Sequence, residues 1–283
     1  TVTKADGSIV TALDEAELAD VVARIAGAGV EAIAICLLFS FVNPIHEQRV
    51  AEMVRPLGLH VSVSHEVLPE HREFERMSTT AANAFLAPVM TRYLGALEDG
   101  LAAEQGETVR LRIMQSNGGS ISAGRAGQEA VRTVLSGPAG GVVGAYAAAR
   151  ASGIENAITF DMGGTSSDVA LVDGEAPVTK EGSIGGYPLR IPILDIHTIG
   201  AGGGSVAWLD EGGALRVGPE SSGANRSHDL HHFTLRQYLH FHGYQRLSDK
   251  TSGRCSGSPT AVIQEVCVEL LVHRSLNQVS KIR

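Results

Sequence analysis

The stretch FDMGGTSSDVALV, residues 160–172, decides how the rest of this sequence is interpreted. Two short apolar segments flank an acidic, glycine-rich turn, which is the pattern of a β-hairpin. Successive N–H groups in such a turn can form a concave phosphate site, and the hydroxyls of Thr165 and Ser166 add donors. Asp161 has a carboxylate of the kind that holds Mg²⁺ beside phosphate oxygens. The stretch therefore predicts a loop for a metal-bound nucleotide; an ordinary hairpin turn is the alternative, because Gly and Asp are common in turns.

The two adjacent glycines of this turn lead to a geometric expectation. Glycine adopts positive φ readily and leaves space where other residues carry a Cβ. We expect Gly163 or Gly164 to have a positive φ, or to face the ligand without room for a Cβ. Asp168, on the second apolar segment, is the second candidate catalytic residue beside Asp161.

Two further glycine-rich segments are candidate parts of the same site. QSNGGS, residues 115–120, follows a predicted strand, and α/β folds bind ligands at the carboxyl ends of their strands. GAGGGS, residues 200–205, can approach a ligand closely. The candidate binding residues are Ser116, Asn117, Gly118, Gly119, Gly202 and Gly203. A tight turn is the alternative for the first segment and a flexible loop for the second.

The first 70 residues alternate between predicted helices and strands. Residues 13–30 have helical apolar spacing, whereas residues 31–42, EAIAICLLFSFV, are apolar on both faces like a central parallel strand. The next segment predicts a helix with Asn43 at its N-cap and Pro44 at the first helical position. Residues 60–67 alternate and predict a second strand. This order indicates an α/β fold.

The middle of the chain predicts mainly helix. Residues 78–104 predict a long helix that Pro88 should kink or divide. Residues 122–135 predict another helix. SGPAGG, residues 136–141, predicts a turn that opens a small-residue helix, whose N-terminus can face an anion or simply pack closely.

Composition limits the functional classes. The chain has 283 residues, 43% of them hydrophobic, and a net charge of -8, which argues against nucleic acid as the main partner. Its apolar runs are shorter than the roughly 20 residues of a membrane span. Three widely spaced cysteines favour a reducing, cytoplasmic location. The chain begins with Thr1 rather than Met, so we expect a fragment.

The last 58 residues belong to a different compositional population. Residues 226–283 hold 8 Lys and Arg against 4 Asp and Glu, and 6 of the 11 histidines, whereas the preceding residues are strongly acidic. These histidines have no zinc-ligand spacing. The change indicates either a shifted reading frame or a genuine lineage-specific tail.

The segment HEVLPEHREFER, residues 65–76, concentrates histidines and carboxylates. His65 and His71 with neighbouring glutamates can bind a metal ion, but a solvated, charged connector is the favoured interpretation.

Taken together and in this order, seven motifs resemble the hydantoinase A/5-oxoprolinase family and its acetone carboxylase relatives. The resemblance covers roughly residues 1–224. The motifs are GVEAIAICLLFSFVNPIHEQRV, REFERMSTTAANAFLAPV, IMQSNGG, SGPAGGVVGA, FDMGGTSSDVAL, TIGAGGGSVA and RVGPESSGA.

The resemblance implies an α/β fold that forms part of a ribonuclease-H-like, actin-like ATPase, with mixed sheets and flanking helices. It implies that residues 1–70 are the C-terminal part of the family's N-terminal domain. Residues 71–224 would be the N-terminal part of the catalytic domain with its phosphate loop. Residues 225–283 would be an atypical tail, frame-shifted or disordered.

The resemblance also implies an activity. Members use ATP and Mg²⁺ to hydrolyse cyclic amides such as 5-oxoproline, a substrate of glutathione metabolism, or hydantoins, by phosphorylating the carbonyl oxygen. In this sequence, residues 161–168 would be the second phosphate loop, with Asp161 near the metal. The implied partners are a cyclic-amide substrate, a hydantoinase-B-like subunit or fused domain, and further copies of the intact parent; nucleic acid and membrane are not expected.

The sequence departs from the family pattern in three places. After Gly223-Ala224, members continue with a Pro-Gly-Pro-x-Cys-Tyr-like segment, whereas this chain has NRSHDLHHF. Members carry an earlier Asp-x-Gly-Gly-Thr loop and a later Gly-Gly-x-Gly-Pro segment, whereas here the one Asp-x-Gly-Gly-Thr is at residues 161–165. The alternatives to an enzyme part are therefore a catalytically incomplete relative that acts as a binding or scaffold piece and, third, a small-molecule kinase of the same superfamily.

Overall fold

The structure, a computed structural model, describes residues 2–105 and 110–221, so the predicted atypical tail lies outside the described residues. Within these ranges the α-helices are α1 (Glu15–Ala26), α2 (Ile45–Val54), α3 (Ser64–Val67), α4 (Glu73–Gln105), α5 (Ala123–Gln128) and α6 (Ser136–Ala151). The strands are β1 (Val2–Thr3), β2 (Ile9–Thr11), β3 (Ala32–Ile35), β4 (His60–Val63), β5 (Arg112–Met114), β6 (Ser120–Ser122), β7 (Asn156–Met162), β8 (Ser167–Asp173), β9 (Val178–Thr179), β10 (Gly182–Ile184), β11 (Tyr187–Leu189), β12 (Ile193–Leu194), β13 (His197–Ile199), β14 (Ser205–Leu209) and β15 (Leu215–Ser221).

The fold is mixed α/β and contains several small sheets. The largest sheet among the described residues has the strand order β13-β8-β7, and β3 and β4 form a parallel pair. The other described sheets are the antiparallel pairs β1-β2, β5-β6, β9-β12, β10-β11 and β14-β15.

The chain divides into two compact units, which are described separately. The first holds the described residues up to 157 together with 172–195, and the second holds 158–171 together with 196–221.

In the first unit, α4 packs on both β3 and β4. One core cluster lies between this parallel pair and α2, and it is formed by Ile35, Ala51 and Val63. The first unit therefore contains the strand–helix–strand layer that the sequence predicts.

Helix α1 follows the capping rules that its sequence suggests. The side chain of Asp14 accepts hydrogen bonds from the N–H groups of Ala16 and Glu17, and the helix ends at Gly27. At α2 the predicted cap is shifted by one residue: Pro44 occupies the N-cap position, while the Asn43 side chain accepts from the Ile45 N–H.

The predicted strand over residues 31–42 is too long. Strand β3 ends at Ile35, and the following segment turns, with Phe39 at a φ of 57°. Side chains replace strand hydrogen bonds here. The Leu37 N–H donates to Glu47 and the Leu37 carbonyl accepts from Arg76, so the backbone leaves the sheet with its polar groups paired.

Two other predicted elements differ in length or type. The strand predicted over residues 60–67 ends at Val63, and α3 follows it at once. Helix α4 runs continuously through Pro88, so the predicted division of this helix is wrong. The helix predicted over residues 122–135 is α5 followed by a 3₁₀ turn, Ala130–Thr133.

Candidate functional site

The acidic, glycine-rich stretch forms the predicted hairpin between β7 and β8. The turn closes where the Gly163 N–H donates to the Ser166 carbonyl over 2.9 Å. Farther along the strands, the Thr159 hydroxyl donates to the Ala170 carbonyl. The same antiparallel register places Asp161 opposite Asp168, at the end of the hairpin that carries the turn.

The glycine geometry of this turn differs from the expectation. Neither Gly163 nor Gly164 has a positive φ. A Cβ on Gly163 would make an ordinary 3.5 Å contact with the Ser166 carbonyl oxygen, and a Cβ on Gly164 would meet nothing within 4 Å. Both parts of the expectation are therefore wrong, because neither glycine has a positive φ and each has room for a Cβ. The glycine geometry does not support the concave N–H site that was predicted for this turn, and a phosphate-binding role rests on the exposed donors alone.

The position that requires glycine is instead Gly202, in the 200–205 segment, which packs against this turn. A Cβ on Gly202 would lie 2.5 Å from the Gly163 carbonyl oxygen and 2.9 Å from the Ser166 nitrogen. Gly202 therefore lies directly against the backbone of the hairpin turn. Its neighbours secure the contact, since the N–H groups of Gly203 and Gly204 donate to the carbonyls of Gly163 and Gly164 over 2.9 and 2.7 Å.

The 200–205 segment is itself held in place by two hydroxyl groups. The Ser205 hydroxyl accepts from the Gly202 N–H over 2.9 Å, and the buried Ser167 hydroxyl donates to the Ala201 carbonyl over 2.7 Å. The structure thus brings the two predicted glycine-rich segments of the second unit together, and the 200–205 segment is a support for the turn.

The hairpin turn presents hydrogen-bond donors to solvent. Gly164 and Thr165 are exposed, and within the described residues their N–H groups make no hydrogen bond to the protein. The hydroxyls of Thr165 and Ser166 likewise have no protein partner in the described ranges. An exposed set of N–H and O–H donors suits the oxygens of a phosphate group.

The two carboxylates beside the turn differ in their exposure to solvent and in their hydrogen bonds. Asp161 is exposed, whereas Asp168 is half-buried and its Oδ1 accepts from the Thr198 hydroxyl on β13 over 2.6 Å. Among the described residues, no group of three or more His, Cys, Asp or Glu side chains has the arrangement of a metal site. Two carboxylates suit Mg²⁺ when phosphate and water complete its shell, because this ion retains waters and binds substrate phosphates.

The 115–120 segment, in the first unit, forms a tight turn after β5. Asn117 accepts the Gly119 N–H on its side-chain oxygen. Gly118 has a φ of 84°, and a Cβ there would lie 2.8 Å from Val143. The buried Ser116 hydroxyl lies within hydrogen-bond distance of the carbonyls of Arg132 and Val134, and its one proton can donate to either, so it supports the neighbouring chain. A ligand-binding role for Ser116, Asn117, Gly118 and Gly119 stays a prediction.

A buried polar network in the first unit was not anticipated from the sequence. Arg76 is fully buried, and its guanidinium contacts Glu73, the hydroxyls of Ser40 and Ser64, and the Leu37 carbonyl. The signal was present in the REFER motif, where Glu73 and Arg76 are separated by three residues on a helix. The buried position of the arginine depends on loops distant in sequence and has no local signature.

Glu47 is the second centre of this network. Its carboxylate accepts from the Leu37 N–H, the Ser64 hydroxyl and the His65 N–H, and lies 2.8 Å from the His65 Nδ1. Burial acts to raise the pKa of Glu47, but these hydrogen bonds outweigh it and hold the pKa below its usual value. His65 is therefore part of an internal pair rather than of a solvated connector, so the favoured interpretation of its segment was wrong at this residue.

The comparisons with known proteins agree with the order of the motifs. Residues 76–230 match the family described as Hydantoinase/oxoprolinase, and residues 2–58 match the Hydantoinase/oxoprolinase N-terminal region. The chain is 42% identical over 223 residues to caprolactamase subunit alpha of Pseudomonas jessenii, covering 78% of this chain and 32% of the relative. It is 37% identical to the 5-oxoprolinase of Saccharomyces cerevisiae, covering 75% of this chain and 16% of that protein.

Solved structures give the same result. The ATP-dependent caprolactamase of P. jessenii matches with a TM-score of 0.67 and 40% identity, and nucleotide-free acetone carboxylase matches with a TM-score of 0.64 and 33% identity. Each match covers 78% of this chain and 32% of the other. The chain thus spans about a third or less of the length of these relatives, and it belongs to the hydantoinase/oxoprolinase family.

Proposed function

We propose that this chain supplies a phosphate-binding part of an enzyme that uses ATP and Mg²⁺ to open a cyclic amide. The observation that carries the proposal is the hairpin turn at residues 163–166. The exposed N–H and O–H donors of this turn lie beside Asp161 and Asp168. The 200–205 segment packs against the backbone of the turn and donates hydrogen bonds to its carbonyl groups. Relatives with the printed names 5-oxoprolinase and caprolactamase support the reaction class.

In this proposal, the donors of the turn bind the phosphate groups and the neighbouring aspartates bind the metal ion. The N–H groups of Gly164 and Thr165, with the hydroxyls of Thr165 and Ser166, would bind phosphate oxygens. Asp161 would hold Mg²⁺, and Asp168 would assist it in the orientation that Thr198 fixes. A rigid turn favours this task because catalysis of phosphoryl transfer depends mainly on positioning and charge neutralisation.

Bound ATP would supply the phosphoryl group that converts a poorly reactive amide carbonyl oxygen into a leaving group. The second-unit residues would then act by orienting the nucleotide and by neutralising its charge. We propose that these residues belong to one lobe of an actin-like ATPase. The domain limits expected at residues 70 and 224 and the cytoplasmic location stay predictions.

The substrate and the partner are proposed at the level of class. The substrate is a lactam or related ring such as 5-oxoproline, a hydantoin or caprolactam, or a ketone in a carboxylation. Two relatives have the printed names caprolactamase subunit alpha and acetophenone carboxylase gamma subunit. These names support a partner subunit of the hydantoinase-B kind, separate or fused.

The alternative is a catalytically incomplete relative that acts as a binding or scaffold piece. The sequence feature behind it is the single Asp-x-Gly-Gly-Thr motif in these 283 residues. Ring-stimulated ATP hydrolysis distinguishes the two functions. A small-molecule kinase would instead leave a stable phosphorylated product.

The proposed metal role is tested by Asp161→Asn in the full-length enzyme. We expect kcat for ATP hydrolysis, stimulated by each candidate ring in turn, to fall at least about 100-fold, as with the loss of other preorganised electrostatic groups. The reason is that the amide removes a negative metal ligand while keeping the size of the side chain.

Asp173→Asn is the matched control, because Asp173 is an exposed aspartate at the far end of the same strand, β8. This variant should retain normal turnover. Equal kcat values for the two variants would contradict the metal role of Asp161.

A further inference from the structure

A second turn lies opposite the hairpin turn at residues 163–166. It spans residues 202–205 and is closed in both directions: the Ser205 N–H donates to the Gly202 carbonyl over 3.0 Å, and the Gly202 N–H donates to the Ser205 hydroxyl over 2.9 Å. Gly202 and Ser205 are both buried. The two residues between them therefore form the tip of a closed turn.

The N–H groups at this tip bind two successive carbonyls of the hairpin turn. The N–H groups of Gly203 and Gly204 donate to the carbonyls of Gly163 and Gly164 over 2.9 and 2.7 Å. The peptides that follow Gly163 and Gly164 are trans, and in a planar trans peptide the C=O and the N–H point in opposite directions. Because the two carbonyls face the 202–205 turn, the N–H groups of the same peptides face away from it.

The N–H groups that face away belong to Gly164 and Thr165. Both residues are exposed, and neither N–H donates to another residue in the described part of the protein. They are the same donors to which the proposed function assigns the phosphate oxygens. Since the carbonyl of each peptide already accepts a hydrogen bond, its N–H is polarised and becomes a better donor.

We propose that the 202–205 turn is a positioning element for the nucleotide: it holds two peptides of the hairpin turn so that their N–H groups face a phosphate group. The proposal rests on the function proposed above and adds which residues set the affinity for phosphate. Reversal of either peptide would point a carbonyl oxygen at the anion. It would also leave the N–H of Gly203 or Gly204 without its acceptor, which costs free energy.

Two buried hydroxyl groups hold the 202–205 turn in this position. The Ser205 hydroxyl closes the turn itself, whereas the Ser167 hydroxyl comes from β8 and donates to the carbonyl of Ala201, immediately before the turn. Ser167 is 0% exposed and Ser205 is 8% exposed, so solvent water does not compete for either bond. Both hydroxyls bind backbone groups of the protein and act on the phosphate only through the turn. The two serines are therefore positioning residues.

Mg-ATP binding to the full-length enzyme, measured by titration calorimetry, tests the proposal. Ser167→Ala and Ser205→Ala should each raise the dissociation constant of Mg-ATP about fivefold to tenfold. The reason is that each variant removes one buried hydrogen bond that holds the 202–205 turn, and one such bond corresponds to roughly that change in affinity.

Thr159→Val is the matched control. Thr159 lies on β7 in the same hairpin, is 9% exposed, and donates its hydroxyl to the Ala170 carbonyl over 3.4 Å, away from the turn. The variant loses the same kind of buried hydroxyl-to-carbonyl bond as Ser167→Ala, but the 202–205 turn keeps its contacts. Its Mg-ATP dissociation constant should equal that of wild type, even where urea denaturation shows that its stability has fallen.

Hydrogen exchange in the same enzyme without nucleotide tests the geometry independently of binding. The amide protons of Gly203 and Gly204 should exchange slowly in wild type and in Thr159→Val, because both are hydrogen-bonded to the hairpin turn. They should exchange faster in Ser167→Ala and in Ser205→Ala. Rapid exchange of both protons in wild type would overturn the proposed orientation of the peptides.

The binding results distinguish the positioning role from the function on which it rests. Mg-ATP binding by wild type with unchanged dissociation constants in both serine variants would overturn the positioning role and leave the proposed function standing. An equal rise in Thr159→Val would also overturn the positioning role, because general loosening of the hairpin would then explain the loss. Absence of Mg-ATP binding by the wild-type full-length enzyme would overturn both.

Discussion

Gly202 is a residue at which the second unit has no room for a side chain. A Cβ there would meet three backbone atoms of the hairpin turn, the closest at 2.5 Å, and backbone cannot rotate away as a side chain can. We expect Gly202→Ala to displace the turn and to lower the free energy of unfolding by about 1–3 kcal/mol, as overpacking does. Urea denaturation measures this loss. In the full-length enzyme, the affinity for Mg-ATP should fall as well.

Gly203→Ala is the control for this prediction. Its Cβ would lie 3.8 Å from the Gly163 carbonyl oxygen, an ordinary contact, and its φ lies outside the positive range. The Gly203→Ala chain should therefore unfold at nearly the wild-type urea concentration. Similar losses of stability in the two variants would show that Gly202 has no special contact with the turn.

At the scale of the element, Glu47 connects α2 to the segments that follow β3 and β4. Its pKa is lowered in the folded state, so its stabilising effect is complete above the unfolded pKa and is lost as pH falls through the folded pKa. We expect Glu47→Gln to lower the free energy of unfolding at pH 7 by about 2–4 kcal/mol, because hydrogen bonds to a charged group contribute roughly 1.5–3 kcal/mol each. The deficit relative to wild type should shrink as pH falls from the unfolded pKa through the lowered folded pKa of Glu47, because wild type then also loses the charge.

Glu52→Gln separates this effect from a general loss of charge on α2. The Glu52 side chain is 62% exposed and pairs only with Arg49 among the described residues, so its replacement should change stability by less than about 0.5 kcal/mol. Chemical denaturation of the three proteins at a series of pH values, from pH 7 down to the acid limit of the folded state, gives the comparison. A Glu47→Gln deficit that stays the same over this whole series would contradict the proposed ionic role.

Local chemistry explains which elements the sequence predicts well. The hairpin and α1 depend on turn and cap residues within a few positions, so their patterns identify them. Residues 36–42 are apolar like a strand, but they turn because Glu47 and Arg76 bind their backbone. Those partners come from other elements, and hydrophobic periodicity contains no information about them. The length of β3 was therefore mispredicted for a tertiary reason.

At the scale of the whole molecule, the motifs and their order were sufficient to identify the family, and the glycine-rich segments predicted the candidate site. The sequence did not indicate that one glycine-rich segment packs against the other. Gly202 and Gly203 were expected to approach a ligand, whereas they lie against the backbone of the turn. A contact between segments more than 35 residues apart is not encoded in either segment alone. Thr198, which supports Asp168, begins the TIGAGGGSVA motif, but the motif alone did not indicate this hydrogen bond.

The last prediction concerns the binding of nucleotide by the 283-residue chain alone. In the proposed actin-like ATPase the nucleotide would be enclosed between two phosphate loops, and this sequence contains one Asp-x-Gly-Gly-Thr motif. Each charge-assisted hydrogen bond contributes roughly 1.5–3 kcal/mol, and each 1.4 kcal/mol is about tenfold in affinity. Loss of several such contacts should weaken binding by orders of magnitude and prevent useful turnover. Titration calorimetry with Mg-ATP should therefore detect no micromolar binding to the chain, while a full-length relative such as the caprolactamase serves as the positive control. Micromolar affinity together with ATP hydrolysis by the isolated chain would mean that the turn at residues 163–166 and its supports form a complete site.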